Sequence, residues 1–201
     1  MTQIVRLATA IALCATAIVS ASAAHATDTL IPGKINIIKD TKLTKMVAKP
    51  VGTFTVPAPL SSGDPTLTGG SLAVADTGDS NGFFTSLPVQ AAPLGWKGLG
   101  NPAGSNGYKY KGTGTGGDPC KIVLVKETVI KFVCKDDQLL NPPLTGNSSI
   151  KLQLGTDQFY CAEFGGTEVK NTASIFKRKE ASAPSACSSP SGAFVDTTPL
   201  F

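Results

Sequence analysis

Few residues in this chain have the types and spacing that covalent chemistry needs. Asp76-Thr77-Gly78 matches the short signature of an aspartic protease, whose reaction requires two such carboxylates sharing one proton. One copy is present, with Ala75 before it and Asp79 after it, and the segment has the composition of a hairpin loop. Asp76, Asp79, Asn81 and Gly82 also suggest a calcium loop. In an EF-hand register, however, Thr77 stands where the first carboxylate belongs and Pro88 where the bidentate glutamate belongs. Gly112-Thr-Gly-Thr-Gly-Gly117 spells a dinucleotide fingerprint, which must open a helix after a strand. Here Asp118-Pro119-Cys120 and a strand pattern follow, so the stretch reads as a flexible loop. Asp157 and Glu163 are carboxylates of the kind a glycosidase pairs, but nothing in the sequence sets their separation. Trp96, Tyr108 and Tyr110 are the aromatics available to stack on a sugar ring. Tyr108 and Tyr110 share one strand face, with Lys109 and Lys111 on the other, and a place in the core is the competing reading.

The histidine and cysteines narrow the chemistry further. The single histidine, His25, lies in Ala24-His25-Ala26, a small-x-small site that closes an N-terminal export signal. Arg6 precedes an apolar stretch from Leu7 to Val19, and small residues follow it. That stretch is shorter than the roughly 20 apolar residues of a membrane span. Cys14 lies inside it, after the bulky Leu13, and is read as part of the signal rather than as a lipid anchor. Removal of residues 1–26 is expected to leave a chain with no histidine, and so without the commonest general base and metal ligand. The remaining cysteines are Cys120, Cys134, Cys161 and Cys187, and an exported protein pairs them. Of the three connectivities, Cys120 with Cys134 and Cys161 with Cys187 is preferred, because the first pair flanks a hairpin. A zinc site from all four lacks the closely spaced cysteine pairs such sites use, so no metal and no cofactor are expected.

The elements that must position these residues are short strands. Gly, Pro, Ser and Thr are abundant, and apolar runs alternate with turn signals, which indicates an all-β antiparallel sandwich. Ile150, Leu152 and Leu154 alternate with Lys151 and Gln153, the period of a strand with one buried face. Asp157–Phe164 follows across Gly155-Thr156 as a hairpin partner. Lys121–Lys126 and Val129–Lys135 form the other strong pair. A turn centred on Glu127 would set Cys120 opposite Cys134 and Val125 opposite Val129. Further strands are expected at Lys34–Lys39, Leu43–Ala48, Gly52–Val56, Ser71–Ala75, Phe83–Leu87, Gly107–Lys111 and Ser174–Lys179, the last with a helix turn as its rival. The Gly-rich stretch Leu94–Pro119 is the candidate boundary between two β-rich halves within 27–187. Residues 188–201 read as a loosely held tail.

After residue 26 the chain carries 17 Lys and Arg against 14 Asp and Glu, dispersed along the sequence. Lys177-Arg178-Lys179 is the one tight basic cluster, read as a solvated strand or turn. Nucleic-acid binding is not expected from so small a net charge, and no second segment is long enough to span a membrane. Asn147-Ser148-Ser149 is a glycosylation sequon, meaningful only in a eukaryotic secretory route.

The C-terminal half resembles a loosely defined group of exported bacterial proteins. The shared features are Gly107-Tyr-Lys-Tyr-Lys111, a cysteine-flanked hairpin like Cys120–Cys134, and Tyr160-Cys161-Ala-Glu-Phe-Gly-Gly166 followed by a cysteine near an Ala-Pro run, here Ala183-Pro184 and Cys187. Ile31-Pro-Gly-Lys34 and Ile37-Ile-Lys-Asp40 are similar as well. The resemblance implies export, disulfides and a β-rich fold, and no mechanism. The expected protein is a secreted or periplasmic non-enzymatic module with a binding or structural role. Its expected partners are a glycan or another exported protein, the latter by pairing at a free strand edge. The alternative is a carboxylate-dependent hydrolase of polysaccharide or peptidoglycan.

Overall fold

The computed structural model describes residues 27–39, 43–48, 54–79, 81–135 and 140–187, with the backbone alone for 27 and 43–48. The expected export signal at 1–26 and the expected tail at 188–201 lie outside the described residues. The regular secondary structure of the described chain is almost entirely β. One sheet has five strands in the order β1 (Thr27–Leu30), β11 (Gln158–Phe164), β10 (Ser148–Leu154), β4 (Gly70–Asp76) and β5 (Gly82–Leu87). The other has eight, beginning β12 (Thr167–Thr172), β13 (Ile175–Ala181), β2 (Gly33–Lys39) and β3 (Leu43–Ala48). It continues β9 (Val129–Cys134), β8 (Cys120–Lys126), β7 (Tyr108–Lys111) and β6 (Gly95–Gly98). All pairs are antiparallel except β1 with β11.

Strand alternation builds the core. In the five-stranded sheet, Leu152 lies opposite both Leu72 and Tyr160, and Ile150 opposite Val74 and Ala162. In the eight-stranded sheet, Phe176 lies opposite Ile38, and Phe132 opposite Val123. All of these are buried in one cluster that draws on both sheets. Each large apolar side chain so enclosed stabilises the fold by about 1.5–3 kcal/mol relative to exposure.

Two tyrosines tie the crossing from β3 to β4 over this core. Tyr108 on one sheet donates its hydroxyl to the Pro57 carbonyl at 3.1 Å, and Tyr160 on the other donates to Thr55 at 3.0 Å. The Phe54 ring meets Tyr160 edge-on at 5.4 Å. The crossing then forms the one-turn helix α1 (Pro65–Thr68), capped by the Asp64 carboxylate, with Pro65 at its start.

Both disulfides pair as the sequence suggests, Cys120 with Cys134 and Cys161 with Cys187. The first hairpin turns differently from expectation. Lys126, not Val125, lies opposite Val129, so the turn is the two residues Glu127-Thr128. Cys120 still reaches Cys134 because a bulge at Lys121 absorbs the extra residue. Four elements were not legible: β1, β6, α1 and β12. Strand β12, with nearly every residue exposed, has no apolar alternation to read. Of the expected strand Gly52–Val56, residues 54–56 are not strand and the rest lies outside the described residues. Of Ser174–Lys179, residues 175–179 belong to strand β13 and Ser174 to the turn before it, with no helix turn. The stretch Leu94–Pro119 supplies β6 and β7, and each sheet contains strands from before and from after it.

Candidate functional site

The carboxylates singled out by the sequence hold loops together. Asp76 is 3 % exposed at the end of β4. One oxygen accepts from the amides of Gly78 at 2.9 Å and Gly146 at 2.7 Å. The other accepts from the Thr145 amide at 2.7 Å and its hydroxyl at 3.1 Å. The Thr77 hydroxyl in turn accepts from the Asn147 amide at 2.8 Å. The two loops approach so closely that a Cβ on Gly78 would lie 2.6 Å from the Gly146 nitrogen. Asp76-Thr77-Gly78 is thus a clasp between β4 and the loop before β10, and among the described residues the Asp76 carboxylate is hydrogen-bonded to amides and a hydroxyl rather than to a second carboxyl. Asp79 accepts from the amide of Asn81 at 2.7 Å and from its side chain at 2.9 Å, a local Asx turn rather than a calcium cage.

Asp118 closes the Gly-rich loop in the same manner. It accepts from the Tyr110 hydroxyl and the Thr113 amide, both at 2.8 Å. A Cβ on Gly112 would lie 2.3 Å from that carboxylate, so the glycine is required by packing and not by a phosphate. Asp157 accepts from the Ser62 hydroxyl and Glu163 from the Asn147 side chain. The two stand at opposite ends of β11, about 20 Å apart at strand rise, well beyond the separation a glycosidase uses.

Trp96, Tyr108 and Tyr110 do not form a stacking platform. Both tyrosines are 0 % exposed and Trp96 is 9 % exposed. Trp96 Nε1 donates to the Leu87 carbonyl at 2.8 Å, and its ring packs 5.3 Å from that of Tyr110. Burial pushes the Tyr108 phenol up to about 12, with the Asp64 charge adding to it. Burial also raises Tyr110, assisted by its bond to Asp118, and raises Tyr160. The phenols therefore stay protonated as donors. Among the described residues, the one cluster with ligand-like spacing is Asp28, Cys161 and Cys187, and both sulfurs are in a disulfide.

The asparagine of the sequon is engaged within the fold. Asn147 donates to Glu163 at 2.8 Å and accepts from Arg178, while Ser148 and Ser149 are buried. A pair that sequence reasoning missed is Glu163 with Glu180. Both line a cavity of about 300 Å³ with Gly165, Gly166, Ser182 and Pro184. They come from strands in different sheets, so no spacing along the chain announces them.

The outer face of the eight-stranded sheet is the most distinctive surface. One row of it runs Lys177, Ile37, Val133, Ile122 and Lys111 on β13, β2, β9, β8 and β7. The next runs Lys179, Ile35, Lys131, Leu124, Lys109 and Lys97. Strand β3 lies between β2 and β9 in both rows. Lys39 and Lys126 extend the face, and Lys170 lies opposite Lys177. The sequences of β2, β3, β6, β7, β8 and β9 contain no Asp or Glu. Among the described residues the one ion pair is Arg178 with Glu168 at 2.8 Å, so these lysines are uncompensated. Charges that are dispersed in sequence are gathered onto one face by the period of two. Within Lys177-Arg178-Lys179 the two lysines point outward while Arg178 turns inward to Asn147.

No protein-family model matches the chain, and no characterised protein or solved structure matches it.

Proposed function

We propose that this protein is an exported, non-enzymatic module whose role is binding, and that its outer lysine face is the working surface. The observation that carries this reading is the segregation of charge: strands β2, β6, β7, β8 and β9 present lysines outward and contain no Asp or Glu. Two of these pairs, Lys97 with Lys109 and Lys170 with Lys177, stand directly opposite each other. Like charges in that position destabilise a sheet, so folding alone does not favour them. The disulfides, and the lack of any long apolar helix among the described residues, are compatible with export.

A second reading is a carboxylate-dependent hydrolase, favoured by Glu163 and Glu180 sharing a cavity. One experiment separates the two. The protein is incubated with an insoluble acidic polysaccharide, and the bound fraction and new reducing ends are measured together. The binding module sediments with the polymer, is released by about 0.5 M salt through screening, and generates no reducing ends. Reducing ends that disappear in Glu163→Gln would replace it with the hydrolase.

A further inference from the structure

We infer that the lysine face docks on an anionic lipid bilayer, with phosphate headgroups as the complementary charge; this rests on the binding-module reading above. The charges suit an extended anionic plane. Lysines two residues apart on a strand are about 7 Å from one another, and neighbouring strands are about 4.8 Å apart. Lys109 with Lys111 and Lys97, and Lys177 with Lys179 and Lys170, fall within the screening length of about 8 Å at physiological salt and act as two groups, with Lys131 between them two strands from Lys109. Across eight strands the face is about 34 Å wide.

The residue types distinguish the partner. The face carries lysine, a point charge with rotatable donors, and no outward arginine that would read one phosphate bidentately. Between the lysines stand Ile35, Ile37, Leu124 and Val133, half-buried, and Ile122, 36 % exposed. Aliphatic stems among cationic heads are the composition of a surface that meets both headgroups and the edge of the acyl region. Single-stranded nucleic acids and uncharged glycans are recognised by exposed rings. Trp96, Tyr108 and Tyr110 from these same strands point into the core, and the outward positions hold no aromatic. The cavity shared by Glu163 and Glu180 is not lined by residues of this face.

The test is flotation with vesicles of phosphatidylcholine containing 30 % phosphatidylglycerol (about a third anionic lipid), against vesicles of phosphatidylcholine alone. Two variants remove the same net charge: Lys109→Gln/Lys131→Gln on the face, and Lys151→Gln/Ser86→Glu on the other sheet. Circular dichroism confirms that both fold. The wild type should float with the anionic vesicles and not the neutral ones. At about 1 kcal/mol per lysine, the face variant should bind about 30-fold more weakly, while the opposite-face variant stays within about twofold. Equal loss in both variants would reduce the effect to bulk charge and overturn the docking face. Binding to heparin or duplex DNA in place of vesicles, with the same dependence on Lys109 and Lys131, would overturn the lipid assignment and leave the binding module standing. Failure to bind any of these polyanions at low salt would remove both.

Discussion

Replacing Asp76 tests whether its carboxylate is a clasp. The side chain is buried and accepts four hydrogen bonds, two of them from amides of Thr145 and Gly146, about 70 residues away in sequence. Hydrogen bonds to a charged group contribute about 1.5–3 kcal/mol each. Thr145 and Gly78 are exposed, so water recovers part of that when the carboxylate is removed. Asp76→Ala should therefore cost about 3–5 kcal/mol, and Asp76→Asn, which keeps one acceptor oxygen, about half as much. Asp79→Ala removes only a local turn and should cost about 0.5–1 kcal/mol. Trp96 is the single tryptophan, is buried, and reports unfolding in urea by its fluorescence. With a slope of about 2 kcal/mol/M, the midpoint of Asp76→Ala should fall by about 2 M. A midpoint within about 0.5 M of the wild type, or equal losses for Asp76→Ala and Asp79→Ala, would refute the clasp.

Three further outcomes follow from the same structure. Tyr108, Tyr110 and Tyr160 keep their protons in the folded state above the ordinary phenol value near 10. Stability should be full below about pH 10 and fall as pH rises toward the folded values, by about 1.4 kcal/mol per pH unit for each phenol. Phenolate absorbance should then appear in the same step in which the β-sheet dichroism is lost, and titration of intact protein near pH 10 would contradict it. Asn36 is 0 % exposed and neither side-chain atom is hydrogen-bonded among the described residues, so Asn36→Leu should raise stability by about 1–2 kcal/mol; a thermal melt showing a loss would reveal a buried partner for it. Cys161→Ser/Cys187→Ser reopens a loop of about 27 residues and should cost about 3.5 kcal/mol, against about 3 kcal/mol for Cys120→Ser/Cys134→Ser, by urea denaturation.

Much of the fold was legible because the relevant physics is local. The period of two at Ile150–Leu154 and the Cys120–Cys134 hairpin depend on neighbours a few residues apart, so the order of residues along the chain is enough to reveal them. The all-β class, the absence of a helix after the Gly-rich run, and the cysteine pairing have the same origin. Strand β12 escaped because its burial pattern lacks alternation, and β6 because Gly95 and Gly98 make a four-residue edge strand resemble a loop.

Tertiary structure decided the rest, because strand pairing between distant segments leaves no trace in local spacing. Alternation announces that Tyr108 and Tyr110 share a face but not that the face is the core, where their hydroxyls meet Pro57 and Asp118. It announces that Lys109, Lys131 and Lys177 each lie opposite an apolar position, but not that the order β13-β2-β3-β9-β8-β7-β6 sets all of them on one surface. Sequence determined which residues alternate. The pairing of distant strands, which depends on backbone hydrogen bonds and a shared core rather than on neighbours in the chain, determined that the alternating lysines became a single charged plane.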